Sequence, residues 1–455
     1  MLQLLLGGSG SGKTTLLYQR IRARAEKGEK SILLVPEQFT SSTEGRIYRE
    51  LGDALSGMVE SFSFTSLAEK ILSTEGGAAV QTLSDAGRAV LVRRALEELQ
   101  DNVHYYHRHR RSAAFCQMAA QTIDELKSAG LSGQQLAQLA GACGAESGKL
   151  SELALIFQGY ETLLARSGMD PSDRLELAGA RLEEALARHS LPEFLRDRAV
   201  FIDEFDTFNA PKKRLLGAML AALPSVTVAL CDDGAPLLPG DLSLFSGAKQ
   251  VAAQLRQLAR KNGAEVAVPE LLRKDLRHQD APALAAVTRL LETGRCEPLS
   301  PETADGLYLF AAPSREEEAR AAAGAIRRLM RQGVRCGKIA VVCRDIAKYR
   351  AAVRYEFRMA DIPLYCDEPT TPEFSAPATA VRCLLAIARG AELTEQLTTL
   401  AKTGLCALTE EEVCALENYA YTWSPNAAAW RTKFEKSPKG FGENELTEED
   451  RKTLD

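Results

Sequence analysis

The chain has 455 residues, 45% of them hydrophobic and 26% charged, and a formal net charge of -5. That length calls for about two to four cores rather than one. The acidic balance excludes a uniformly basic coat for nucleic acid but leaves room for a local basic surface. The 10 cysteines include no C-x-x-C pair, so neither a zinc nor an iron–sulfur site can be read from spacing. No apolar run is long enough to cross a bilayer. A glycine loop follows Leu6 directly and leaves no space for a signal peptide, so a cytoplasmic protein with reduced thiols and no membrane partner is expected.

In chain order, Leu2–Leu6 reads as a short buried strand, the glycine loop follows, and Thr15–Lys27 has helical character. Ser31–Val35 is a second apolar run, stopped by Pro36. Strand, loop, helix and strand make a βαβ unit that opens a parallel sheet. From 85 to 190 the spacing turns helical, over Ala89–Leu99, Phe115–Leu126, Leu150–Leu164 and Leu175–Leu186, with breaks at Gly130, Gly141–Gly144 and Gly168–Pro171. The α/β pattern returns at Ala199–Ile202 and Val226–Leu230, and 235–305 is mixed and proline-punctuated. A second βαβ pattern follows: strands at Leu307–Phe310, Ile339–Cys343 and Ile362–Tyr365, with helices at Arg315–Gln332 and Tyr349–Met359. From Ala376 the chain is helical and polar.

Gly7-Gly8-Ser9-Gly10-Ser11-Gly12-Lys13-Thr14 fits the pattern G-x-x-x-x-G-K-[ST] in full. Glycines let the backbone wrap phosphate oxygens closely, and the N–H groups opening the next helix, through Thr15, point at the same anions. Lys13 supplies a point charge to the terminal phosphates, and the Thr14 hydroxyl is a ligand for Mg²⁺. A chance glycine–serine turn is the competing explanation, opposed by the strand before and the helix after. Such a loop needs a carboxylate at the end of a neighbouring strand. Val200-Phe201-Ile202-Asp203-Glu204 offers Asp203 for the metal and Glu204 to orient and deprotonate an attacking water; the bland alternative is a solvated acidic turn.

The residues around these motifs narrow the choice. Asp203–Asn209 resembles motif II of superfamily 1 DNA helicases of the UvrD type, and Val59–Ala68 resembles their T-F-H-S-F segment, which lies along DNA. Ile339–Arg344 and Ala360–Tyr365 look like motif IV and its sequel. A closer resemblance is to the B subunit of AddAB-type ATP-dependent helicase/nucleases, carried by the P-loop at the chain's start, Leu34-Val35-Pro36-Glu37-Gln38-Phe39-Thr40, Thr122–Lys127 and the strand from Ile339.

The resemblance implies an α/β fold of two RecA-like P-loop domains with an inserted all-helical subdomain. The first domain would take 1–84 and 191–300, the insertion 85–190, the start of the second domain 301–390, and the start of a second helical insertion 391–455. It implies ATP and Mg²⁺ as cofactors, the helicase/nuclease's A subunit for heterodimer partner, and single- and double-stranded DNA ends as substrates in break repair. Arg344 would reach the γ-phosphate; its ordinary alternative is a salt bridge to Asp345 or Glu356. A nuclease domain with an iron–sulfur cluster is implied only for the longer family member, of which this sequence would be an N-terminal part. Two departures matter. No glutamine motif precedes Gly7, and Cys231-Asp232-Asp233-Gly234 stands where motif III would carry a phosphate-sensing glutamine. Slow or absent hydrolysis and a DNA-recognition role are therefore expected.

Single-stranded DNA is expected along Gln38, Thr40, Ser61, Phe62 and Phe64. The aromatics would stack on bases, unless Phe62 and Phe64, two apart, are core residues on one face. His104-Tyr105-Tyr106-His107-Arg108-His109-Arg110-Arg111 is the strongest basic cluster. Arg108 and Arg110 could grip phosphates, or the stretch could be a solvated loop. The competing classes are an active superfamily 1 helicase, a non-enzymatic DNA-recognition scaffold stabilised by nucleotide, and a small-molecule kinase, which two α/β units around a helical insertion argue against.

Overall fold

The computed structural model describes residues 1–455 except 78–80, 145–146, 296–297, 301–302, 305, 367–371, 443–445, 449–450 and 452–455. The chain divides into a unit of Met1–Tyr308 and one of Leu309–Asp455.

The first unit is built on a parallel sheet. Its strands are β1 (Leu2–Gly7), β2 (Ser31–Leu34), β3 (Val59–Phe62), β4 (Ala199–Ile202), β5 (Ser225–Cys231) and β6 (Glu270–Leu272), in the order β3-β2-β4-β5-β1-β6. The apolar runs alternate faces with the two-residue period of a strand. Leu2, Leu4, Leu6, Val200 and Ile202 enter one core, packed by α4 (Phe64–Glu75), α9 (Pro171–Ala187), α10 (Ala210–Ala222) and α11 (Ser246–Lys261). Leu5, Leu33, Ala199 and Phe201 enter the other, beneath α1 (Lys13–Ala25), α2 (Thr40–Leu51) and the short α3 (Asp53–Ser56). Both faces are covered, which is why these strands carry no polar side. Helix α1 buries Leu17, Tyr18, Ile21 and Ala25 along a single stripe. The four strands expected at Leu2–Leu6, Ser31–Val35, Ala199–Ile202 and Val226–Leu230 are present. Strand β6, inside the mixed 235–305 stretch, was not legible in the sequence.

The helical stretch has its own core. Helices α5 (Asp85–Glu98), α6 (Ala113–Ser128), α7 (Gly133–Ala140) and α8 (Ser147–Ser167) enclose Val92, Leu96, Ile123, Phe157 and Tyr160. Helix α9, counted with this stretch by its spacing, instead sends Ala178 and Leu182 into the sheet's core. A buried ionic knot ties the two together. Lys127 on α6 donates to Asp170 at 2.7 Å and to Asp173 at 2.9 Å, and the Tyr160 hydroxyl donates to Asp170 at 2.5 Å. Asp170 is also the N-cap residue of α9.

In the second unit, α13 (Arg315–Arg331) and α14 (Ile346–Met359) pack through Ala319, Ala323, Ile326, Val353 and Phe357. Helices α15 (Ala376–Ala388), α16 (Leu393–Ala401) and α17 (Glu410–Trp423) follow. The strands expected at 307–310, 339–343 and 362–365 do not form: these residues have no ladder partners, and Leu309, Val342 and Tyr365 stand exposed. An apolar run becomes a parallel strand only when neighbours accept and donate along it. No second sheet is present among the described residues.

Removing Lys127 leaves two carboxylates, one of them buried, without their cation. Lys127→Ala is expected to destabilise the first unit by about 3 kcal/mol. Arg93→Ala, which breaks an exposed helical pair with Glu97, should cost less than about 0.5 kcal/mol. Urea unfolding of both variants checks this.

Candidate nucleotide site and nucleic-acid surface

The sheet is entirely parallel, so Gly7, Leu34, Phe62, Ile202, Cys231 and Leu272 all end at one edge, the edge where open α/β sheets bind ligands. The glycine loop leaves β1 at that edge. Gly10 and Gly12 have φ of 76° and 88°, left-handed values that only glycine takes without strain. Gly12 ends the loop and Lys13 opens α1. The Lys13 ammonium donates to the Gly7 and Gly8 carbonyls, both at 2.8 Å, inside its own loop. Burial holds its pKa below the ordinary lysine value. The Ser11 hydroxyl is buried with no partner among the described residues.

Asp203 follows β4 directly and is 6% exposed, with the Thr14 hydroxyl and the Lys13 ammonium near enough to act on its carboxylate. Burial raises its carboxyl above the ordinary aspartate range, against the pull of Thr14, the Glu204 N–H and Lys13. The Glu204 N–H donates to Asp203 Oδ1 at 3.0 Å. Glu204 is exposed, with φ of 65°, a left-handed conformation that costs a non-glycine residue on the order of 1 kcal/mol and concentrates at functional sites. Burial, with the neighbouring Asp203 charge second, raises the Glu204 carboxyl as well. Thus the P-loop, Thr14, Asp203 and Glu204 share one site. The oxygen donors at Thr14 and Asp203 suit a hard cation such as Mg²⁺, and the left-handed loop is a cradle that any Cβ would crowd.

Several neighbours of this site lie outside any motif. Arg46 on α2 stacks over the Tyr18 ring at 4.9 Å, and burial pushes the Tyr18 hydroxyl up to about 12. Because β6 pairs with β1, the residues after it run over the outside of the loop. The Leu276 N–H donates to Gly10 O at 3.0 Å, and the Arg277 guanidinium donates to the Ser9 hydroxyl at 3.4 Å. A Cβ at Gly12 would meet Leu276 at 2.9 Å, and one at Gly8 would run into the Glu292 carboxylate of α12 (Pro282–Thr293). A cavity of about 340 Å³ lies between Gly8, Asp232, Asp233, Lys274 and Glu292. After β5, Asp232 is buried and accepts from the Gly234 N–H at 2.7 Å.

The expected DNA-contacting residues fall in three places. Gln38 is exposed in a short 3₁₀ turn at the carboxyl edge, and the Thr40 hydroxyl donates to Glu37 O at 2.9 Å. Ser61 and Phe62 are half-buried on β3, with Phe62 tilted against Phe194 at 6.4 Å. Phe64 is only 3% exposed and lies edge-on to Phe205 and Phe208, so in this conformation it fills the core and offers no face to a base. Ser63 explains this: it caps α4 in a capping box with Ser66, so Phe64 is a first-turn helix residue rather than a strand residue. Lys212 lies 5.4 Å above the Phe64 and Phe205 rings. Arg108 is exposed and Arg110 half-buried, on the loop between α5 and α6. Arg344 is exposed at the start of α14 in the second unit, where the Asp345 carboxylate pairs with Lys348 and Glu356 with Arg320. No cluster of three or more His, Cys, Asp or Glu side chains able to hold a metal ion occurs among the described residues. No helix among them is long and apolar enough to cross a membrane.

With this geometry in place, comparison with known proteins is informative. The model of the family described as "ADDB, N-terminal" matches residues 4–288. The chain is 31% identical over 442 residues to the B subunit of the ATP-dependent helicase/deoxyribonuclease of Desulforudis audaxviator, covering 94% of this chain and 37% of that protein. It is 32% identical over 448 residues to the protein of the same name from Moorella thermoacetica, covering 94% and 38%. Against that of Clostridium perfringens strain 13 it is 27% identical over 468 residues, covering 100% and 40%. The chain thus spans at most two fifths of the length of these relatives.

The placement of Phe64 is testable. Phe64→Ala should lower the stability of the first unit by about 3 to 5 kcal/mol, read by urea unfolding.

Proposed function

The chain belongs to the AddB N-terminal family, and from that premise we propose that it is the helicase-like part of a B-type polypeptide that grips ATP–Mg²⁺ and DNA at broken ends beside its A-type companion. The observation that carries this is a complete glycine loop opening α1 at the carboxyl edge, with the buried Asp203 carboxylate after β4 beside Lys13 and Thr14. When bound, Mg²⁺ would neutralise phosphate charge, and Thr14 and Asp203 are the residues that would hold it. The loop N–H groups of Gly8–Thr15 and the Lys13 ammonium would bind the phosphates, Lys13 leaving its loop carbonyls to do so. Glu204, held at the rim by its bond to Asp203, would orient and accept a proton from the attacking water.

Hydrolysis in this reading is slow. A phosphate sensor is expected after β5, yet the residue there, Asp232, is committed to its own turn. Arg344, on the second unit, is the proposed γ-phosphate contact from that side. Single-stranded DNA is proposed to follow Gln38, Thr40, Ser61 and Phe62, with Phe62 the remaining stacking candidate.

Two outcomes test this. ATP–Mg²⁺ should raise the unfolding temperature of the wild type but not of Lys13→Ala, and turnover with DNA should stay below the median enzyme rate of about 10 s⁻¹. Equal thermal shifts, or brisk DNA-stimulated turnover, would reject the corresponding half of the proposal. For the DNA path, Thr40→Ala/Ser61→Ala should weaken binding of a labelled single-stranded oligonucleotide in fluorescence anisotropy. Unchanged affinity in a variant of normal stability removes this path.

A further inference from the structure

The loop from Asp101 to Arg111, which joins α5 to α6, is built rather than merely solvated. The Glu152 carboxylate of α8 accepts from three consecutive backbone N–H groups: His104 and Tyr105 on Oε1, both at 2.8 Å, and Tyr105 and Tyr106 on Oε2 at 2.9 and 3.1 Å. Burial alone would raise that carboxyl, but the three backbone donors outweigh it and hold it below the usual glutamate range. Val103 is buried beneath the turn, and Phe115 takes the Tyr106 and His109 rings at 5.2 and 5.7 Å. A 3₁₀ turn at His107–His109 completes the shape.

What this frame displays is cationic. Arg108 and Arg111 are exposed, with His104, His107 and His109 around them, and Lys149 lies 5.3 Å over the Tyr105 ring. Nearby on α5, Arg93 and Arg94 are paired with Glu97 and Glu98. Arg108, Arg110 and Arg111 make no ion pair among the described residues. In a chain of net charge -5, a pre-organised patch of unneutralised guanidinium groups marks a surface for a polyanion.

We propose that this loop anchors the phosphate backbone of duplex DNA and that Glu152 is its positioning residue. The inference rests on the reading that the protein works on DNA, and it adds a contact separate from the single-strand path at the sheet edge. The choice of duplex follows from the aromatics. Tyr106 and His109 are already committed to Phe115, and Tyr105 to Tyr106 and Lys149. The loop therefore offers donors for phosphates but few free faces for the base stacking that single-strand binding uses. Duplex DNA also packs its charges more densely, at about one per 1.7 Å of axis.

The test is anisotropy of a short blunt duplex and of the matching single strand, across a salt series, with the chain as it stands. In Arg108→Ala/Arg111→Ala, duplex affinity at low salt should fall about tenfold and the slope of log K against log salt should shrink by about 2, close to one counterion per lost contact. Single-strand binding should change less. Glu152→Gln separates positioning from simple charge. Removing a negative charge beside the patch would tighten DNA binding if only electrostatics mattered, whereas a loop in which an NH2 group replaces one of the two acceptor oxygens and faces backbone N–H donors should bind duplex more weakly. The inference is overturned if the double variant keeps duplex affinity and salt slope, or if Glu152→Gln binds duplex more tightly. Duplex binding absent in a wild type that still binds single strands overturns it too. Loss of both in a folded wild type would instead sink the DNA reading on which it stands.

Discussion

The placement of the Asp203 carboxylate beside Lys13 and Thr14 depends on almost every apolar residue of the first unit. Thr14 lies in the first turn of α1, and Asp203 one residue beyond β4. Strands β4 and β1 are not neighbours; β5 lies between them. Asp203 faces the phosphate loop only because it shares parity with Ala199 and Phe201, which point under α1, while Val200 and Ile202 point the other way. A slip of one residue in β4 would carry Asp203 to the α10 face and bring Ile202 toward the loop. The registers Ala199↔Ser225 and Leu2↔Val226 hold this arrangement, because the slip would also mismatch the packing of two apolar cores at once. Site geometry and core packing are here the same constraint.

That coupling explains what could be read from the sequence. That the glycine loop, Asp203 and Glu204 lie at strand ends was legible because each is a short contiguous signal set against a strand long enough to show its pattern. The contacts that close over the loop were not. Strand β6 has three residues, too few for any period. Leu276, Arg277 and Glu292 meet Gly10, Ser9 and Gly8 from more than 260 residues away in sequence. Their consequence is that the glycines of the loop are constrained on both sides: toward an anion by backbone conformation, and on the outside by a segment that leaves no room for a Cβ. Phe64 is a different case. The Ser-Phe-Thr-Ser run that resembles a DNA-lining segment is also a helix-capping signal, and in this fold capping decides where the ring goes.

The second unit shows how much a strand pattern leaves open. The runs at 307–310 and 339–343 have the composition of β1 and β4, yet they form no strand and most of their side chains are exposed, while α13 and α14 pair through their own apolar stripes. A helix satisfies its backbone internally and needs a neighbour only for its stripe. A parallel strand needs other strands for its hydrogen bonds, and no local preference supplies them. Elements whose stability is local are therefore the more legible, and those that depend on distant partners the less.

The same asymmetry bears on the chemistry at the sheet edge. Glu204 has a left-handed conformation and its N–H donates to Asp203, so the buried carboxylate beside the glycine loop and the strained, solvent-facing one are a single local feature. The next strand end is arranged differently: Asp232 is buried and turned back on Gly234, and its own N–H donates to Gly7 O at 3.2 Å. That residue braces the P-loop from below. Its side chain is held separately, by the Gly234 N–H, and cannot also track a terminal phosphate, because following the ligand would require it to leave a buried hydrogen bond worth about 1 kcal/mol. The proposed grip and the proposed weak coupling thus rest on separate features of adjacent strands, β4 and β5, and they need not rise or fall together.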